Sequence, residues 1–356
     1  MAAESFAYIG TYTGGESQSK GIYVASWADG KLGPPQLAGR FQRPSFLVLH
    51  PTRPLLFSVA EVSDFDGQPA GGVVGWAIQD DGTLKRTSTQ PTGGGGACHL
   101  SLTRDGGTLL VANYGGGSVA SYPITDDGKI GGQASFHQHT GGSRVVANRQ
   151  GAPHCHSIHA SPDGRFAFVP DLGLDQIKAY RLADSVLTPA PDLDVDLSPG
   201  GGPRHFDWHP DGQQAFCNLE LGSAVTRLTY DAESGQLTPH ETLSTLPDGY
   251  DDRNGTAECL VSPDGRFVFV SNRGHDSVAV FAVGGEGGFT RVGLVPAGAK
   301  TPRGMGLSPD GTHLIVCGQG SGNVRVMSIG EDGSLTPAGS EISVDRPVNI
   351  RIRPAD

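Results

Sequence analysis

The sequence predicts an all-β fold, a seven-bladed β-propeller formed by residues 1–356 as a single domain, with N- and C-terminal strands closing the ring in one shared blade. Three observations point there: a composition built for turns, a turn that recurs at blade-length intervals, and chain ends that complete one another. Fifty-four glycines and 25 prolines with only 18% charged residues favour many tight turns over long helices. The turn itself reads HPTRP at His50, TRDGG at Thr103, SPDGR at Ser161, HPDGQ at His209, SPDGR at Ser262 and SPDGT at Ser308. Its second residue falls at positions 51, 104, 162, 210, 263 and 309, spaced 46 to 58 residues apart, the length of one four-stranded blade.

Each turn joins two short runs of strand composition, such as ECLVS before and RFVFVSN after. Pro and Asp-Gly suit a tight hairpin between them. A third run follows, as in GSVASYPI or DSVAVFAV, then a second turn such as DDGKI or EDGSL, then an outer strand. The N-terminal FAYIGTYTGGESQSKGIYVASWADGKL aligns with the second and third strands of a blade and lacks a first. The C-terminal RPVNIRIRPAD aligns with a first strand alone, so the two ends predict a seventh blade and no exposed sheet edge.

A net charge of −11 argues against nucleic acid or an anionic membrane surface as partner, since both reward clustered Lys and Arg. A small anionic substrate stays open, because salt screens distant surface charge over about 8 Å. No apolar run is long enough to cross a membrane, and MAAESFAYIG lacks a basic start and apolar core. Cys98, Cys155, Cys217, Cys259 and Cys317 stand singly, which predicts reduced buried thiols and a cytoplasmic protein.

In a propeller, the start of each innermost strand and the end of the second strand share one mouth of the central channel. Six residues before the turn markers stand Ser45, Cys98, His156, Arg204, Ala257 and Arg303, with Val348 in the closing blade. The next positions bring His99, His205 and Glu258, and the second-strand ends bring Tyr12, Glu61, Asn113, Tyr114, Asp171, Glu220 and Arg273. Arginines outnumber matching acids in this set, which predicts positive charge available for an anion. Two long connections, GGQASFHQHTGGSRVVANRQGAPH and HETLSTLPDGYDDRNGTAE, lead into rim residues and are expected to wall the site.

Other signals compete. HCHSIH, from His154 to His159, holds good zinc ligands, yet Cys155 and His159 point away from His154 and His156 on a strand, and no second ligand pair completes a site. Glu61, Asn113 and Asp171 could imitate the ligand set of the calcium-dependent gluconolactonase propellers, but the sequence pattern of those enzymes is different. No G-x-S-x-G nucleophile elbow occurs, and the glycine runs lack the Gly-Lys-Ser/Thr of a phosphate loop. The expectation is therefore no metal and no cofactor.

The stretches GGACHLSLTRDGGTLLVANYGGGSVASYPI, APHCHSIHASPDGRFAFVPDLGLDQI, GGPRHFDWHPDGQQAFCNLELGSAV and AECLVSPDGRFVFVSNRGHDSVAVF resemble the lactonase family of seven-bladed propellers, from about Tyr8 to Pro354. That family includes cycloisomerase-type 6-phosphogluconolactonases and fungal carboxy-cis,cis-muconate cyclases. The resemblance implies hydrolysis of an anionic sugar lactone, with 6-phosphogluconolactone leading and a place in the pentose phosphate pathway. A muconate-type cycloisomerase and a non-catalytic propeller binding a metabolite or peptide stand as alternatives.

Motif by motif, the resemblance carries catalytic roles to His156 of APHCHS, Arg204 of GPRH, Glu220 of NLE and Arg273 of SNRG. Around them His154, Arg303, Glu258, Asn113 and Tyr114 are expected to bind substrate. Lactone hydrolysis needs a base for water, for which His156 and Glu220 both qualify, and cations for the oxyanion, which arginine supplies.

Overall fold

The computed structural model describes residues 5–284 and 288–354. The expected domain's first four and last two residues, and 285–287, lie outside the described residues. Seven antiparallel sheets follow one another along the chain. Blade 1 comprises Leu47–Leu49, Leu55–Ala60, Gly72–Ile78 and Leu84–Pro91; blade 2 comprises Ala97–Leu102, Thr108–Asn113, Ser118–Pro123 and Ser135–Gln138. Blade 3 runs from His159–Ala160 through Phe166–Asp171 and Gln176–Ala183 to Val186–Pro189, blade 4 from Pro203–Trp208 to Gln236–Ser244, blade 5 from Gly255–Val261 to Phe289–Pro296 and blade 6 from Pro302–Leu307 to Leu335–Ser343. Blade 7 unites the ends: Pro347–Arg353 pairs with Ser5–Thr11, Tyr8 opposite Arg351, and Ser5–Thr11 pairs with Gly21–Ala28.

The repeated turn explains itself chemically. In Ser161-Pro-Asp-Gly the Ser161 hydroxyl donates to the Asp163 carboxylate and accepts the Phe166 N–H, while Gly164 takes φ 73°, which a side chain would resist. Ser262 and Ser308 repeat the pattern with Asp264 and Asp310. Among the described residues the apolar core divides into seven clusters, one between each pair of neighbouring blades. Phe168 and Phe206 fill the blade 3–4 interface, and Ile9, Cys317 and Ile350 fill the blade 6–7 interface. At the blade 6–7 seam the inner strands approach so closely that a Cβ on Gly304 would sit 2.2 Å from the Val348 carbonyl.

One expectation needs correcting. The residues before the Ser161 turn, GAPHCHSIHA, are expected to form one inner strand, but regular pairing covers only His159–Ala160, preceded by a single bridge between Cys155 and Asp171. From that bridge to the pair His159–Phe168 the inner side advances four residues and its partner three, so His156 lies in a bulge. The same irregularity recurs at Cys98, Arg204–His205, Ala257–Glu258, Arg303 and Val348. Each extra residue sits at the mouth position and re-aims its side chain toward the channel.

Blade 7 should contribute to the stability of the whole ring. Ile350→Ala, which empties a fully buried position in the blade 6–7 cluster, is expected to cost roughly 3 kcal/mol in urea unfolding; a cost near zero would mean that the terminal strand does not close the core.

Candidate active site

The bulged inner strands and the second-strand ends surround a cavity of about 550 Å³ at the channel mouth, of a size suited to a small metabolite. Glu61, Tyr114, His156, Glu220, Arg273 and Arg303 line it. Both long connections reach it as well. The first delivers Arg149, held by the fully buried Gln150, whose amide donates to Leu172 O (2.9 Å) and Asp175 Oδ1 (2.6 Å). The second delivers Arg253 and Asn254; the Asn254 amide donates to Ser223 Oγ (2.9 Å) and Asn272 Oδ1 (3.1 Å).

Glu220 is the electrostatic centre. Arg204 Nε donates to its Oε2 at 2.9 Å, Arg273 Nη2 is ion-paired with the same oxygen at 2.9 Å, and Arg149 Nη2 donates to Oε1 at 2.7 Å. Arg204 also donates to the Ala257 carbonyl, and Arg273 to the carbonyls of Gly255 and Thr256. Burial alone would raise the Glu220 carboxyl, but Arg273, Arg204 and Arg149 hold it well below the usual carboxylate range. It stays ionised and is a poor base. Burial, Arg273 and Arg303 pull Arg204 down to about 10, which still leaves it charged at neutral pH.

His156 behaves differently. Burial, Arg204, His205 and Arg303 depress its pKa well below the ordinary imidazole value, so the ring is neutral near pH 7. Its Nε2 lies 3.8 Å from Glu220 Oε2, and its ring meets Tyr114 edge-on at 5.1 Å. Behind it Cys155 turns to the interior, 3.2 Å from His139 Nδ1, which bonds Asp171 Oδ2 at 2.7 Å. The other Asp171 oxygen accepts the backbone N–H groups of His154, Gly173 and Leu174, fixing the strand that presents His156. Cys155, His139 and Asp171 place three donor atoms close together, and those hydrogen bonds account for the cluster. Cys98 lines the mouth as a thiol, pushed up to about 12 by burial, and is no nucleophile at neutral pH.

His156, Glu220 and Arg273 thus converge at the cavity with Arg303 and Tyr114 beside them, while Arg204 reaches Glu220 from the small chamber beneath the mouth. Three expected binding residues do not reach the mouth cavity. His154 stacks on Tyr114 at 4.5 Å and bonds its carbonyl. Asn113 is fully buried, its amide donating to Ser118 Oγ. Glu258 lies deeper, in a small chamber under the mouth, hydrogen-bonded to His205 Nδ1 at 2.7 Å. Glu258 lies at a bulge, whereas His154 precedes one and Asn113 belongs to the partner strand. Glu61 alone of the calcium-like set faces the cavity; Asn113 and Asp171 are committed inside. Arg149 and Arg253 lie on the two connections expected to wall the site, where loop residues have no blade register to align.

Fold and mouth together define a seven-bladed propeller with a cation-rich site for a small anionic or polar ligand. A family model described as "Lactonase, 7-bladed beta-propeller" matches residues 6–352, and the chain belongs to that family. It is 35% identical to the 6-phosphogluconolactonase of Bacillus subtilis over 279 residues, 78% of this chain and 77% of that protein. It is 31% identical to that of Pectobacterium carotovorum over 242 residues, 67% and 69% of the respective chains. Among solved structures the periplasmic gluconolactonase PpgL of Pseudomonas aeruginosa superposes with a TM-score of 0.91 at 30% identity, covering 99% of this chain and 100% of that one.

The buried histidines make stability pH-dependent. Depressed folded pKa values mean that the unfolded chain binds more protons below about 6.5, so stability is full above that pH and falls as pH drops towards the folded values. His159, held at about 4 by burial, should alone forfeit on the order of 2 kcal/mol between pH 7.5 and pH 5. Urea unfolding at the two pH values should show the loss, and His159→Leu should reduce it; an unchanged pH dependence in the variant would contradict the assignment.

Proposed function

We propose that this chain hydrolyses a sugar lactone, with 6-phosphogluconolactone as the leading substrate and 6-phosphogluconate as product. One observation carries the reading: beside the arginines gathered on Glu220, Arg303 lines the cavity with no side-chain ion pair or hydrogen bond among the described residues, only a stack over the Tyr12 ring at 5.3 Å. A guanidinium presented this way is a receptor for an anion or a developing oxyanion. The two curated relatives named above are 6-phosphogluconolactonases and the structural neighbour is a gluconolactonase, which supports hydrolysis over muconate cyclisation or passive binding.

The residues divide the work. Neutral His156 takes a proton from water as its oxygen attacks the lactone carbonyl. Arg303, with Arg204 and Arg273, stabilises the oxyanion. Collapse breaks the ring C–O bond, the imidazolium returns its proton to the departing alkoxide, and the new carboxylic acid ionises, releasing one proton per turnover. Glu220 acts by holding Arg204, Arg273 and Arg149 in place. Arg149 and Arg253, at the outer edge, suit a phosphate on the far end of the substrate. Five unpaired buried cysteines support a reducing, cytoplasmic setting; among the described residues no helix is long and apolar enough to cross a membrane.

A pH-stat assay on glucono-δ-lactone and 6-phosphogluconolactone tests the reading directly. Proton release by the wild type should exceed spontaneous hydrolysis, and release at the background rate on both lactones would refute it. His156→Asn should lower kcat by roughly 100-fold or more. Arg303→Ala should lower kcat/KM by about 100-fold with little change in melting temperature, because only its stack over the Tyr12 ring is lost.

A further inference from the structure

The cavity holds a second carboxylate whose surroundings differ from those of Glu220. Glu61 follows the second strand of blade 1 and is locked there by its backbone: its N–H donates to Arg43 O at 3.0 Å, and its carbonyl accepts from Arg43 Nε at 2.8 Å. The side chain meets mainly neutral donors. Tyr12 OH donates to Oε1 at 3.1 Å and Ser45 Oγ donates to Oε2 at 2.5 Å, while the Arg43 guanidinium stands 3.9 Å from Oε1 and Arg303 acts on the carboxylate through space without a hydrogen bond. Burial keeps the Tyr12 phenol protonated, so it remains a donor.

Capacity separates the two acids. A carboxylate offers about four acceptor sites. Glu220 commits both oxygens to three arginines, whereas each Glu61 oxygen is engaged at hydrogen-bonding distance by a single hydroxyl. Glu61 also borders both the mouth cavity and the chamber beneath it, with its side chain 19% exposed. A carboxylate with open acceptor sites takes hydroxyl donors and repels phosphate and carboxylate groups.

We infer that Glu61 is a specificity-determining residue, accepting hydrogen bonds from ring hydroxyls of a polyhydroxylated lactone while Arg303 faces the carbonyl end. Tyr12 couples the two, since its hydroxyl bonds Glu61 and its ring lies under Arg303. The inference deepens the lactonase reading and rests on it. It assigns the site to lactones that carry hydroxyl donors, and makes Glu61 a binding group with no part in the proton transfers.

The test compares glucono-δ-lactone with δ-valerolactone, the same six-membered ring without hydroxyls, in wild type and Glu61→Gln. The variant keeps a carbonyl acceptor for one of the two hydroxyls, Tyr12 or Ser45, turns an amide N–H towards the other, and loses the charge. The kcat/KM ratio of gluconolactone to valerolactone should fall about tenfold or more, chiefly through KM, as a charge-assisted hydrogen bond is lost. Glu61→Asp, which retracts the carboxylate by one methylene, should move the ratio in the same direction and serves if Glu61→Gln folds poorly. A ratio that does not move, whether both rates hold or both fall together, overturns the inference and leaves the lactonase reading standing. Wild-type protein inactive on every lactone would end both.

Discussion

Glu220 carries a charge that the fold cannot leave alone. A carboxylate with its side chain 8% exposed costs several kcal/mol to remove from water unless cations surround it, and the cations come from three places. Arg204 sits on the innermost strand of blade 4, Arg273 at the end of the second strand of blade 5, and Arg149 on the connection between blades 2 and 3. One acid therefore ties two blades and a loop together. The tie leaves an excess of positive charge at the opening. That excess is the resource a lactone carbonyl needs when its oxygen becomes anionic.

The same crowding sets the protonation of everything nearby. Arginines and burial keep His156 neutral, and burial keeps Cys98 a thiol. The mouth thus holds fixed cations and a neutral imidazole, with Glu220 filled by arginine on one wall and Glu61 bonded by hydroxyls on another. Below it, His99, His156, His159 and His205 line the axis with aromatic contacts of 4.7 to 5.4 Å. Their depressed pKa values keep that column uncharged near neutrality.

Most of the architecture was readable because its determinants are local. Ser-Pro-Asp-Gly makes a turn by itself, wherever it stands, so its spacing counted the blades, and the unmatched ends implied the closing sheet. The mouth positions were also readable, as a register six residues before each turn. What the register could not show was the bulge at each of those positions, which depends on how neighbouring inner strands crowd the axis. For that reason Glu258, at a bulge, sits deeper than expected. His154 and Asn113 turn to packing and hydrogen bonds. Arg149 and Arg253 lay beyond pattern altogether, since a loop's reach is set by anchors such as Gln150 to Asp175 and Asn254 to Asn272, distant in sequence.

The shared blade has a bearing on how the molecule is born. Every residue assigned to the mouth, from Tyr12 to Arg303, has been synthesised before Pro347–Arg353, the strand that seats against Ser5–Thr11. Until that strand leaves the ribosome, the growing protein is an open crescent whose blade 6 and blade 1 flanks face solvent. Tyr12, on blade 7, cannot yet be held between Glu61 of blade 1 and Arg303 of blade 6. Catalytic competence should then arrive in a single late step, and the N-terminal strand must wait, unpaired on its inner edge, for a partner more than three hundred residues away.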